Sequence, residues 1–153
     1  MNLTIFLDSG PLGLITNPKR PPETALALTW AISMQRAGNR LMVPAIADFE
    51  VRRELERAGQ TKGIAMLDAW NHSESGRYLP LSDSALRLGS KLWAKARNSG
   101  TSTADPKELD GDVLIAAQAL DMGLDLSSFI IATSNVGHLV QFVPADIWPN
   151  IGR

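Results

Sequence analysis

Short apolar runs of strand length alternate with longer helical segments along the whole chain, and this alternation limits the fold more than any other feature. Residues 3–7 (LTIFL), 40–43 (RLMV) and 129–133 (FIIAT) read as buried strands, rich in branched apolar side chains. Residues 77–81 (RYLPL) make a weaker strand, and FVPADIW near the end adds a short edge strand. Between them the sequence predicts helices over residues 23–38, from Pro44 to about 58, over 61–70, from the Ser82 cap to about 98, and over 108–123. Gly38 suits the end of the first of these. The loops fall at NPKRPP (17–22) and NSGTSTADP (98–106). Alternating strands and helices pack as a mostly parallel sheet covered on both faces, an α/β architecture.

The 153 residues, 44% of them hydrophobic, suit a single domain spanning 1–153 with a real core. The absence of cysteine excludes disulfides, thiolate metal sites and a cysteine nucleophile. No apolar segment approaches the roughly 18 residues of a membrane span, and no signal-like segment opens the chain. The expectation is a soluble cytoplasmic protein with no membrane association. A net charge of −1 does not suit a generic DNA-coating protein, but leaves room for a local basic patch beside an acidic site.

Function is then sought at the carboxyl ends of the strands, where open α/β sheets bind ligands. Asp8 stands there in FLDSG, followed by Ser9 and Gly10. It is placed either as a ligand-binding group or as the cap of a following helix. Asn135 holds the same station after the late strand. In ELDGDVLIAAQALDMG, residues Leu109, Val113, Ala116, Ala117 and Leu120 form one apolar stripe, and Asp112 lies at its edge. A carboxylate there is paired or faces a cleft. Asp110 shares that cleft only if the helix begins late. The DPKE sequence, a capping box with Pro at the first helical position, argues for an early start. Glu50 is followed on one helical face by Arg53 and Arg57, either as solvated ion pairs or as a metal ligand with basic neighbours.

Several chemistries lack their residues. His72 and His138 form no zinc motif, and no phosphate-binding glycine loop or serine-hydrolase elbow is present. The residues of ELDGD do not fit a calcium loop. A phosphotransfer domain using Asp8 as nucleophile needs a second acid at the position of Gly10, or an acidic pair in an early loop, and neither occurs.

FLDSG, IADFEVRREL, DVLIAAQAL and IATSNVGHL occur in the order of the PIN-domain nucleases, and the chain resembles that family, the VapC-type toxins in particular. DxxIAAxA is the most specific of the four. The resemblance implies a three-layer α/β/α sandwich with a short, mostly parallel sheet. It also implies an acidic core of Asp8, Glu50 and Asp112 that binds Mg²⁺ or Mn²⁺ for RNA hydrolysis. Asp110 becomes a candidate fourth acid. Ser9 and Asn135 become substrate-positioning groups. Arg53 and Arg57 become RNA contacts, with Arg52, Lys62, Lys19 and Arg20 as further candidates. The implied partners are an RNA substrate, a small antitoxin protein and a second copy in a homodimer, for which Leu26, Leu28, Trp30 and Ile32 are candidate interface residues. Where many relatives carry an acid in the last motif, this chain has TSNVGHL, which puts a second metal ion in doubt. The alternative is a catalytically weak or inactive scaffold of the same fold that binds RNA or protein.

Overall fold

The computed structural model describes residues 2–100 and 105–153. Five strands form one sheet: β1 (Thr4–Leu7), β2 (Arg40–Pro44), β3 (Tyr78–Leu79), β4 (Phe129–Thr133) and β5 (Ala145–Ile147). Their order is β3-β2-β1-β4-β5, and every pairing is parallel. The weak strand and the edge strand expected from sequence are both present, and the second is shorter than FVPADIW. The helices are α1 (Ser9–Ile15), α2 (Pro22–Arg36), α3 (Ala45–Arg57), α4 (Thr61–His72), α5 (Asp83–Asn98) and α6 (Pro106–Asp121). Of the expected loop at 98–106, residues 101–104 lie outside the described residues.

Alternation along β1 divides the core. Ile5 and Leu7 join Leu41 and Val43 on the face covered by α1, α2 and α3. Phe6 joins Met42, Phe129 and Ile131 on the opposite face, beneath α6. Phe6 and Phe129 meet edge to face at 5.7 Å. α5 packs on α6 through Ala96, Leu109 and Val113. The result is the three-layer sandwich with helices on both faces. Among the described residues, no helix is long and apolar enough to cross a membrane.

Pro44 departs from its expected place. It ends β2, opposite Leu79, and precedes α3 in extended conformation instead of occupying the first helical turn. Its neighbour Ile46 donates its N–H to the buried Gln118 Oε1 at 3.1 Å. The Gln118 amide nitrogen donates to the Leu79 and Pro80 carbonyls at 3.0 and 3.3 Å. One side chain of α6 therefore fixes the start of α3 and the end of β3. Such buried polar groups are costly unless satisfied.

Trp30 is buried against Trp148, and its indole N–H reaches the Ile151 carbonyl at 3.1 Å. This candidate interface residue is core. Leu28 packs on the same cluster, whereas Leu26 and Ile32 are exposed.

Candidate active site

The chain turns sharply from β1 into α1, and Asp8 sits at the turn as the helix cap. Its Oδ1 accepts the Ser9 N–H at 2.7 Å, and its Oδ2 accepts the Thr133 hydroxyl at 2.7 Å. The carboxylate caps a helix and at the same time stands at the carboxyl end of the central strand. Thr133 ends β4 and also accepts the Asn135 N–H at 3.1 Å, so it ties both strand ends together. Gly10 is required here. A Cβ at this position would collide with Ser134 Oγ and lie 2.8 Å from Ser134 Cβ. The small residues after Asp8 let α1 pass close to the end of β4.

α3 and α6 bring two more acids to this point. Glu50 lies against the backbone of α6, with its Oε2 3.3 Å from where a Gly111 side chain would begin. Asp112 follows Gly111, and its Oδ2 accepts the His138 N–H at 3.3 Å. The loop between them turns at Gly137, whose φ of 41° suits glycine, and the Gly137 N–H is held by Asn135 Oδ1 at 3.0 Å. Asp8, Glu50, Asp112 and Asn135 all line one cleft of about 330 Å³, together with Ser9 and Glu108.

Electrostatics set this cleft apart. Burial and the Asp8 carboxylate push Glu50 up to about 7, against an opposing effect of Arg53 that outweighs the further raising effect of Asp112. Burial and Asp8 push Asp112 up to about 6, opposed in part by its bond from His138. Burial raises Asp8 as well, although its bonds from Thr133 and Ser9 pull the other way. Carboxylates that raise one another share a site with too little positive charge to satisfy them.

The donors are oxygens, the preference of Mg²⁺ and Mn²⁺, and the excess negative charge fits a divalent cation. Among the described residues, no three His, Cys, Asp or Glu side chains converge closely enough to enclose an ion as they stand. The donor set suits a hard cation, and the arrangement is open.

Other sequence candidates fall differently. Asp110 is exposed and lines a separate groove with Trp93 and Leu114, away from the cleft. The early start of α6, capped by Asp105 with Pro106 at its first turn, turns Asp110 to that side. Glu108, one helical turn before Asp112, takes the fourth place instead. Its spacing of four residues was the available signal. Arg53 does not line the cleft; its Nη2 is 4.0 Å from Glu50 Oε2 and its guanidinium lies over the Phe49 ring. Arg57 is paired with Glu54 at 2.9 Å. Arg52 is bound by both Asp48 oxygens and by Asp68, so it ties α3 to α4 rather than facing a substrate. Lys19 lines a neighbouring cavity, and Arg20 and Lys62 are exposed outside the cleft.

The PIN domain family model matches residues 5–135. Comparison with curated protein sequences gave no significant match. Among solved structures, a chain of FitAcB from Neisseria gonorrhoeae is 21% identical, with a TM-score of 0.67, covering 97% of this chain and 100% of its own. A chain of VapBC2 from Rickettsia felis, solved bound to a DNA fragment from its promoter, is 14% identical, with a TM-score of 0.68, covering 95% of this chain and 99% of its own. A chain of VapBC-1 from nontypeable Haemophilus influenzae is 16% identical, with a TM-score of 0.60, covering 97% and 100%.

Proposed function

Because this chain belongs to the PIN domain family, we propose that its acidic cleft is the active site of a divalent-metal-dependent endoribonuclease, the toxin of a toxin–antitoxin pair. The observation that carries the reading is the meeting of Asp8, Glu50 and Asp112 from three elements in one cleft, where Asp8 raises the proton affinity of both others and Asp112 that of Glu50. Asp8, Glu50 and Asp112 would hold Mg²⁺ or Mn²⁺. Such an ion would supply a more acidic water and offset charge on the scissile phosphate. Glu108, at the cleft wall, adds a fourth carboxylate within reach of the incoming nucleophile. Thr133 and the Ser9 amide keep Asp8 oriented. The Asn135 side-chain nitrogen makes no hydrogen bond among the described residues and would donate toward a phosphate oxygen, while its Oδ1 is used by Gly137.

RNA fits the charge pattern, with Arg53 beside the acids as a phosphate contact. A small antitoxin that inserts a cation among unpaired carboxylates would silence the site by the same attraction. The neighbouring FitAcB and VapBC structures support a partner protein of this kind. A homodimer in the cytoplasm completes the reading.

The open spacing of the acids and the Asn135 position favour one second reading, a weak or inactive scaffold that binds RNA or protein. Cleavage of a mixed tRNA and rRNA pool separates the two. The nuclease reading expects discrete products with Mg²⁺ or Mn²⁺ that disappear in EDTA and in Asp8→Asn. Equal inertness of wild type and variant in every metal leaves the scaffold.

A further inference from the structure

A second cavity of about 470 Å³ opens beside the acidic cleft, between α1, the turn at Asn17–Lys19, α3 and the start of α4. It is within the size range of small-molecule sites. It shares Ser9, Gly10 and Glu50 with the cleft, so the two spaces lie side by side.

Its walls have two characters. Val51, Leu55, Gly13 and Gly63 give an apolar surface with little side-chain bulk. At Gly13 a Cβ would meet only Val51 Cγ2, at 3.9 Å, so the space in front of it is open. Gly63 differs, because a Cβ there would lie 2.7 Å from Leu55 Cδ2. The polar groups are neutral amides. Asn17 Oδ1 accepts the Lys19 N–H at 3.0 Å, and its side-chain nitrogen has no partner among the described residues. The Gln60 side chain likewise makes no hydrogen bond among the described residues and does not cap α4. The charged residues lining this cavity are Glu50, Glu54 and Lys19. Glu54 is paired with Arg57 at 2.9 Å, whereas Lys19 has no ion pair among the described residues.

We propose that this cavity is a nucleobase pocket, which seats the base of the nucleotide next to the scissile phosphate. This rests on the ribonuclease reading of the adjacent cleft. The occupant follows from the lining. A flat, weakly bulky apolar wall suits the face of a planar ring, and uncommitted amides suit its hydrogen-bonding edge. Lys19 at the mouth suits the connecting phosphate. A base can enter only from unpaired RNA, so the pocket selects single-stranded segments such as loops. Asn17 and Gln60 become the specificity-determining residues.

The test compares two substrates: single-stranded RNA, and the same RNA with abasic ribose at the cut, a phosphodiester with no ring to seat. Gly13→Leu fills the pocket from a position with room for it, and Gly13→Ala is the control for helix stability. Asn17→Ala and Gln60→Ala carry the test should Gly13→Leu fail to fold, as judged by thermal melting. The expectation is that Gly13→Leu lowers kcat/KM for RNA by about tenfold or more, the scale of a lost base contact, with turnover of the abasic RNA within about twofold of wild type. Asn17→Ala and Gln60→Ala shift the base preference at the cut. Unchanged RNA cleavage at unchanged sites overturns the proposal. That outcome is also expected if the cavity seats a segment of a partner protein. An equal fall on both substrates overturns it as well. Wild type inert on both substrates with metal removes the ribonuclease reading and this pocket with it. Wild type active on both, with no effect of the pocket variants, removes the pocket alone.

Discussion

At the scale of single residues, the site rests on close approach and on charge. Gly10 shows the first. Gly10→Ala places a methyl against Ser134, whose Cβ is fixed by the backbone, so α1 or the end of β4 has to move. The expected cost is about 1–3 kcal/mol, read as a lower urea midpoint, with a loss of activity from displacement of Asp8. Glu50 shows the second. Its proton is bound more tightly in the folded chain than the ordinary value of 4.5, with a midpoint at about 7. The contribution of this proton to stability is therefore full below about 4.5 and lost as pH rises through about 7. Without metal, Glu50→Gln should melt higher than wild type at pH 8, and the difference should vanish near pH 4. Partial exposure limits the effect to on the order of 1 kcal/mol. A melting difference independent of pH would contradict the placement of Glu50 among other carboxylates. Asp112 was legible in the sequence because its place at the edge of an apolar stripe can be read from spacing alone. Thr133 was not, because nothing in FIIAT distinguishes a strand residue from one whose hydroxyl binds Asp8. Glu108 was taken for part of a capping box, which hid its turn-to-turn alignment with Asp112.

At the scale of elements, the local signals were strong wherever the chain itself supplies the partner. Ser82 caps α5 through the Ala85 N–H at 3.1 Å, and Asp105 caps α6 through Lys107. Both caps stand as written in the sequence. The start of α3 is different, because its partner, Gln118, comes from α6, far along the chain. That dependence explains why Pro44 was misplaced by one element boundary. Gln118→Ala strips three hydrogen bonds from partly buried backbone groups at once. It should cost about 2–4 kcal/mol and loosen the α3 start that precedes Glu50. Hydrogen exchange at Ile46 is the direct measurement: faster exchange there in the variant is expected, and unchanged protection would contradict the role of Gln118. Arg52 makes the reverse point. Its position beside Glu50 invited a substrate role, yet Asp48 and Asp68 on two helices bind it. Long-range pairing of this kind leaves no local trace.

At the scale of the whole molecule, the strand order does the positioning. β1 is central, with the earlier crossovers to one side and β4 and β5 on the other. The connections that leave β1 and β4 therefore pass to opposite faces of the sheet at the point where the topology reverses, the usual ligand site of such sheets. Alternation of strand and helix predicted this arrangement, since a parallel sheet with covered faces is the compact solution to it. The order of the strands was not in the alternation, nor in the resemblance, and is a finding of the structure. A site of mutually repelling carboxylates at that crevice makes a whole-molecule prediction: Mn²⁺ should raise the melting temperature of wild type, because a ligand of the folded state stabilises it. Asp112→Asn should lose most of that increase.

Calorimetric titration of Mn²⁺ into the free protein tests the central claim most directly. At pH 7.5 wild type should bind, and Asp112→Asn and Asp8→Asn should each bind at least about tenfold more weakly. Because a cation displaces protons from Glu50 and Asp112, wild-type affinity should also rise between pH 6 and pH 7.5, with proton release on binding. Equal affinity in wild type and both variants, with no dependence on pH, would contradict a shared cation site of Asp8, Glu50 and Asp112.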